Sequence, residues 1–115
     1  MTIARHNAGP RMSGAVVHNN TVYLAGQVAA DASAGVKGQT EQVLKKIDDL
    51  LKAAGSDKSK LLSATIFLAD IRGFDEMNAA WDAWVVAGST PGRATVEARL
   101  ANSKFLVEIV ATAAV

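Results

Sequence analysis

The segment FLVEIVATAAV, residues 105–115, constrains the fold more than any other stretch of the chain. Phe105, Val107, Ile109 and Ala111 alternate with Leu106, Val110 and Ala114, so a strand built from it is apolar on both faces. Such a strand has to be covered from both sides, because a solvated sheet face normally alternates polar with apolar. The chain must supply one layer of cover itself, and the other has to come from its loops or from another subunit.

Its own layer is legible as two helices. Over residues 40–54 the apolar positions Val43, Leu44, Ile47, Leu50, Leu51 and Ala54 follow the i, i+3, i+4, i+7 spacing, and Gly55 stands where a C-terminal cap belongs. A second helix is expected over residues 73–87, with Phe74, Met77, Trp81, Trp84 and Val85 as one core stripe and Gly88 ending it. The other periodic segments alternate like strands. Residues 15–18 and 21–25 flank Asn19-Asn20, a pair that tolerates the positive φ of a tight hairpin turn. Residues 61–70 read as a buried strand with Leu62, Ala64, Ile66 and Leu68 on one face, and two more strands follow at 93–98 and 105–113. The order strand, strand, helix, strand, helix, strand, strand predicts an α+β fold, with both helices on one face of the sheet. Two helices leave the other face bare, and a second subunit is the economical cover for it.

At 115 residues the chain predicts a single domain, 1–115, with one core. Its net charge is +1 with lysines and arginines spread along the chain, so no tract is built to neutralise phosphates and nucleic acid is not an expected partner. No run approaches the roughly 18 apolar residues of a membrane span. The opening MTIARHNAGPRM lacks an apolar signal core, which predicts a cytoplasmic protein. With no cysteine there are no disulfides, thiol nucleophiles or thiolate metal sites. His6 and His18 lack metal-ligand spacing, Gly26 and Gly92 fit no phosphate loop, and no cofactor is expected.

Two charged residues stand out against this background. Glu108 is the one ionisable residue of the last strand, and a carboxylate there must be paired, protonated or near water. Arg93 opens the preceding strand, directly after the turn Ser89-Thr90-Pro91-Gly92. The two are close enough in sequence to be sheet neighbours or to meet across an interface. A structural ion pair is one reading. The other is a binding site for a small carboxylic acid, gripped by the planar guanidinium fork. Spacing leaves both open.

Four segments, LAGQVA at 24–29, MNAAWDAW at 77–84, PGRATVEARL at 91–100 and LVEIVATAAV at 106–115, resemble in order and spacing the reactive-intermediate deaminase (Rid, or YjgF) family, over residues 9–115. The resemblance implies a chorismate-mutase-like fold assembled as a homotrimer, with ligand clefts between subunits. It implies hydrolysis of reactive imines or enamines, such as 2-iminopropanoate and 2-iminobutanoate, to 2-oxo acids and ammonia, without a cofactor. It places Arg93 at the family's substrate-carboxylate arginine, Glu108 at its water-orienting glutamate, Gly26 at the glycine of its Ser-Gly-Gln-like turn and Asn78 at its helix asparagine.

The chain departs from the family at the pocket wall. Arg11 stands where family deaminases commonly have tyrosine, Ala25 where serine is frequent, Gly92 where alanine is usual, and Thr95 where cysteine is frequent. Arg93, Gly26, Asn78, Arg11 and Thr95 are thus the expected substrate contacts; for Arg11 two readings stay open, a second positive charge for a larger or dicarboxylic ligand and a solvent-facing loop arginine. A different class of function is a non-catalytic trimer that binds 2-oxo or amino acids. Ribonuclease activity, sometimes attached to the family, finds neither a basic patch nor a general-acid histidine pair.

Overall fold

The computed structural model describes residues 2–115. Its elements run β1 (Ala4–Ala8), β2 (Ser13–His18), β3 (Thr21–Leu24), α1 (Val36–Ala53), β4 (Leu61–Leu68), α2 (Phe74–Trp84), β5 (Gly92–Glu97) and β6 (Val107–Ala114). The six strands form one sheet in the order β1-β2-β3-β6-β4-β5. It is mixed, because β4 pairs parallel with β5 and antiparallel with β6. Among the described residues no helix is long and apolar enough to cross a membrane.

The hairpin between β2 and β3 turns where the two asparagines predict. Asn19 and Asn20 hold φ of 53° and 63°, a conformation their short polar side chains tolerate. Gly55, at φ 83°, ends α1 as expected. β1 escapes sequence reading altogether. Ala4–Ala8 is almost wholly exposed and has no apolar alternation; it is a strand because its backbone pairs with β2 at the sheet's edge.

α1 starts earlier than residue 40 because its first turn is buried through polar groups. Gln39 is fully buried, its amide nitrogen donating to the carbonyls of Ala34 and Lys104, both at 3.0 Å, and its Oε1 accepting from the Leu106 amide at 2.9 Å. The side chain ties the loop before α1 to the start of β6, and a hydrophobic period cannot register it. α2 stops at Trp84, three residues short of 87, where Val85 turns extended. The indole nitrogen of Trp84 donates to Asp48 on α1 at 3.0 Å.

Both helices lie on one face, over Val107, Ile109, Ala111 and Ala113 of β6, Ala64, Ile66 and Leu68 of β4, and Val22 and Leu24 of β3. Leu62 does not join them. A register shift between Leu61 and Ser63 puts Leu61 in the core and leaves Leu62 52% exposed. Phe74 is a second correction: it lies at the rim, 39% exposed, whereas Met77 and Trp81 of the same stripe are buried. The opposite face, with Tyr23, Thr65, Phe67, Glu108, Val110 and Thr112, carries no helix.

Candidate functional site

Arg93 and Glu108 lie on opposite faces of the sheet. Arg93 registers with Ala64, a residue of the helix-covered core, whereas Glu108 registers with Phe67 on the bare face, and β4 runs between the two strands. The structural ion pair between them is therefore absent within one chain. The ion pairs among the described residues are Lys45–Asp49 and Arg72–Asp70, and neither involves Arg93 or Glu108. Arg72 holds the Asp70 carboxyl down at about 2 through a side-chain hydrogen bond, but both are exposed and serve to cap the turn before α2.

Arg93 is half-buried on the edge strand β5, beneath one side of α2. Its guanidinium carbon stands 5.2 Å from the Trp81 ring centroid and 5.9 Å from that of Phe74. Nη1 donates to Asn78 Oδ1 at 2.8 Å and lies 4.0 Å from the sulfur of Met77. Phe74, Met77, Asn78 and Trp81 sit at i, i+3, i+4 and i+7, so one helix face delivers all four to the guanidinium. This spacing is visible in the sequence, where it reads as core packing. That is correct for Met77 and Trp81 and misses what the aromatic rings do for Arg93. Thr95 shares the strand face with Arg93, and its hydroxyl oxygen is buried without a hydrogen-bond partner. A buried hydroxyl left unsatisfied costs about 1–3 kcal/mol.

Glu108 belongs to a second cluster. The segment after β3 runs beside β6 through a two-way backbone bridge, Gln27 N to Ile109 O at 2.9 Å and Ile109 N to Gln27 O at 3.1 Å. That bridge puts Gly26 directly under the Glu108 side chain. A Cβ on Gly26 would fall 2.2 Å from Glu108 Oε2, so only glycine leaves the carboxylate room where it stands. Glu108 lines a cleft of about 240 Å³ with Phe67, Ala98, Arg99, Leu100 and Ala101. Arg99 and Leu100 also line an adjoining cleft of about 360 Å³ with Ala69, Asn102, Ser103 and Phe105. Sequence reasoning did not single out Arg99, since nothing marks a loop arginine before the fold places it beside Glu108.

Arg11 is not brought to Arg93. It is exposed at the turn from β1 to β2, closed by Gly9 N donating to Met12 O at 2.8 Å. From β2 to β5 is four strand spacings, roughly 19 Å at the usual separation, which a side chain of the same chain does not bridge. His6 registers with core-facing Ala15 and His18 with Thr21 on the bare face, so the two histidines do not form a pair on one surface.

The chain thus holds two separate clusters as candidate half-sites: a guanidinium on an aromatic bed with an asparagine and an orphaned hydroxyl, and a carboxylate over a glycine in an open cleft. The profile of the family described as Endoribonuclease L-PSP matches residues 2–115. The RutC family protein YoaB of Escherichia coli K12 is 52% identical over 115 residues, spanning 100% of both chains. The 2-iminobutanoate/2-iminopropanoate deaminase of Rattus norvegicus is 33% identical over 107 residues, covering 88% of this chain and 77% of the rat protein. Among solved structures, a member of the YjgF protein family from Neisseria meningitidis superposes with a TM-score of 0.96 at 46% identity, covering 99% of this chain and 95% of that one. With sequence and fold matched from end to end, the chain belongs to the YjgF/Rid family, the family whose profile is described as Endoribonuclease L-PSP.

Proposed function

We propose that this protein hydrolyses small 2-imino acids to 2-oxo acids and ammonia, as a homotrimer of chorismate-mutase-like subunits with the reaction clefts between copies. The observation that carries this reading is Arg93. A half-buried guanidinium lies on two aromatic faces, hydrogen-bonded to a neutral amide and paired with no carboxylate among the described residues. Such a group is set to receive an anion from outside its own chain, and a planar carboxylate fits its fork. The name of the rat relative, 33% identical, supplies the substrate class.

In this reading Arg93 fixes the carboxylate and so the position of the imine carbon. Glu108 takes a proton from a water as its oxygen attacks that carbon, giving a carbinolamine. The nitrogen is then protonated and leaves as ammonia while the C–O bond becomes the carbonyl of the 2-oxo acid. Water supplies the oxygen and both hydrogens that the products gain, so no co-reactant is needed. Thr95, whose hydroxyl is orphaned in one chain, would gain its partner when ligand or ordered water enters.

The separation of the half-sites supports a cleft shared between copies. Arg93 and Glu108 face opposite sides of one sheet, and Arg11 projects from the far edge, so a ligand meeting all three takes them from more than one chain. The uncovered face, with Tyr23, Phe67 and Val110, offers the surface to be buried. Light scattering or native mass measurement is expected to give three copies. A stable monomer at micromolar concentration would remove the shared cleft.

The direct test generates 2-iminopropanoate and 2-iminobutanoate in place, from an amino acid and an oxidase, and follows 2-oxo acid and ammonia release with and without the protein. Acceleration by the wild-type protein is the expected result. Tight 2-oxo acid binding without acceleration would make this a binding trimer and not an enzyme.

A further inference from the structure

An arginine drawn partly out of water ordinarily meets a carboxylate, and the half-buried Arg93 meets an amide. Nη1 of Arg93 donates to Asn78 Oδ1 at 2.8 Å, and the guanidinium lies against Trp81 and Phe74. One hydrogen bond and two ring faces together fix the position and the plane of the fork. Among the described residues Arg93 bonds through Nη1 alone, which leaves the N–H donors of Nε and Nη2 for a ligand.

Charge decides what Asn78 is for. An aspartate has the shape of an asparagine, would accept the same hydrogen bond, and would bind the guanidinium more strongly. It would also neutralise it. An amide oxygen orients the fork while leaving the full positive charge for an incoming anion. We infer that Asn78 is a positioning residue for Arg93, holding the guanidinium in its binding orientation without cancelling its charge. Asn78 thus acts through Arg93 instead of serving as the ligand's own anchor. The inference rests on the reading of Arg93 as a carboxylate anchor given above.

The consequence is an order of effects that a purely structural asparagine would reverse. If Asn78 only holds the fold, Asn78→Ala, which deletes the hydrogen bond, should be the worse variant, and Asn78→Asp, which strengthens it, the milder. A neutral positioning role predicts the opposite. The experiment titrates 2-oxobutanoate into wild type, Asn78→Asp and Asn78→Ala by calorimetry. It also measures KM and kcat on 2-iminobutanoate, and the melting temperature of each protein. Asn78→Asp is expected to weaken 2-oxobutanoate binding by about tenfold or more, the scale of one charge-assisted hydrogen bond, and to raise KM in parallel. Its kcat should change much less, and its melting temperature should hold or rise. Asn78→Ala should lose affinity only severalfold, because Trp81 and Phe74 still support the fork. Asn78→Asp binding like wild type, or Asn78→Ala binding worse than Asn78→Asp, overturns the inference while leaving the anchor reading standing. A wild-type protein that neither binds 2-oxobutanoate nor hydrolyses the imine overturns the anchor reading, and this inference with it.

Discussion

Arg93→Ala is expected to lower imine hydrolysis by about a hundredfold or more while the protein stays folded and assembled, because it removes the group that positions the reactant. The forecast for stability follows from the partners of Arg93. Were the guanidinium paired with a buried carboxylate, its loss would strand that charge at a cost of about 3–5 kcal/mol. Its partners are instead a neutral amide and two rings. Losing them costs on the order of 1–2 kcal/mol, the scale of one stacked cation and one hydrogen bond. Circular dichroism melts should therefore show a drop of about 4–8 °C, and native mass measurement should still give the wild-type assembly. Arg93→Lys should restore stability better than activity, since one ammonium on a flexible stem cannot reproduce the fork that fixes the carboxylate plane. Dissociation or unfolding of Arg93→Ala, with 2-oxo acid binding intact in whatever remains assembled, would make Arg93 a structural residue and remove the anchor from the proposed mechanism.

How far the site could be read in advance depended on whether its residues announce themselves through side chains or through topology. The Asn19-Asn20 hairpin, the Gly55 cap and the long helix were legible because each is a local rule, a backbone conformation or a 3.6-residue period. So was the doubly apolar last strand, which forced the question of what covers the second face. β1 was not legible, since an edge strand with exposed alanine, arginine and asparagine carries no period for the eye to find. The start of α1 was hidden for a related reason: Gln39 and Thr40 are buried by hydrogen bonding, and apolar counting starts only at Val43. For the site, the resemblance named Arg93, Asn78, Gly26 and Glu108, and the structure sorts them into two pairs, Arg93 with Asn78 and Gly26 with Glu108. That Arg93 and Glu108 face opposite ways could not be read from their separation in sequence, because it is β4, inserted between β5 and β6 in the sheet, that sets the register of both. Phe74 was misread for the opposite reason, as its spacing matches the core stripe while its place at the helix start puts it at the rim.

Gly26→Ala isolates the other proposed half-site, and it is the smallest change expected to abolish the proposed hydrolysis. Gly26 has no positive φ, so alanine can adopt its backbone without strain. What alanine cannot do is share space with Glu108. Its Cβ would fall 2.2 Å from Oε2, 3.1 Å from Cδ and 3.4 Å from Cγ of that side chain. The carboxylate is the flexible end of a long side chain, and it is therefore the glutamate that moves, not the sheet. A displacement on the order of an ångström at a proton-accepting group is enough to cost about a hundredfold in rate. Thermal stability should stay within about 1 kcal/mol of wild type, in the range of a surface substitution. The contacts that hold Arg93 do not include Gly26, so the carboxylate anchor stays intact and 2-oxobutanoate should bind Gly26→Ala nearly as it binds wild type. The loss should appear in kcat with KM little changed, the reverse of the pattern expected for Asn78→Asp. Glu108→Gln keeps the shape and deletes the base, and it should reproduce the kcat loss with Gly26 in place. Full activity in Glu108→Gln would sink the base assignment. Full activity in Gly26→Ala alone, with Glu108→Gln inactive, would mean that the working carboxylate sits elsewhere than over Gly26.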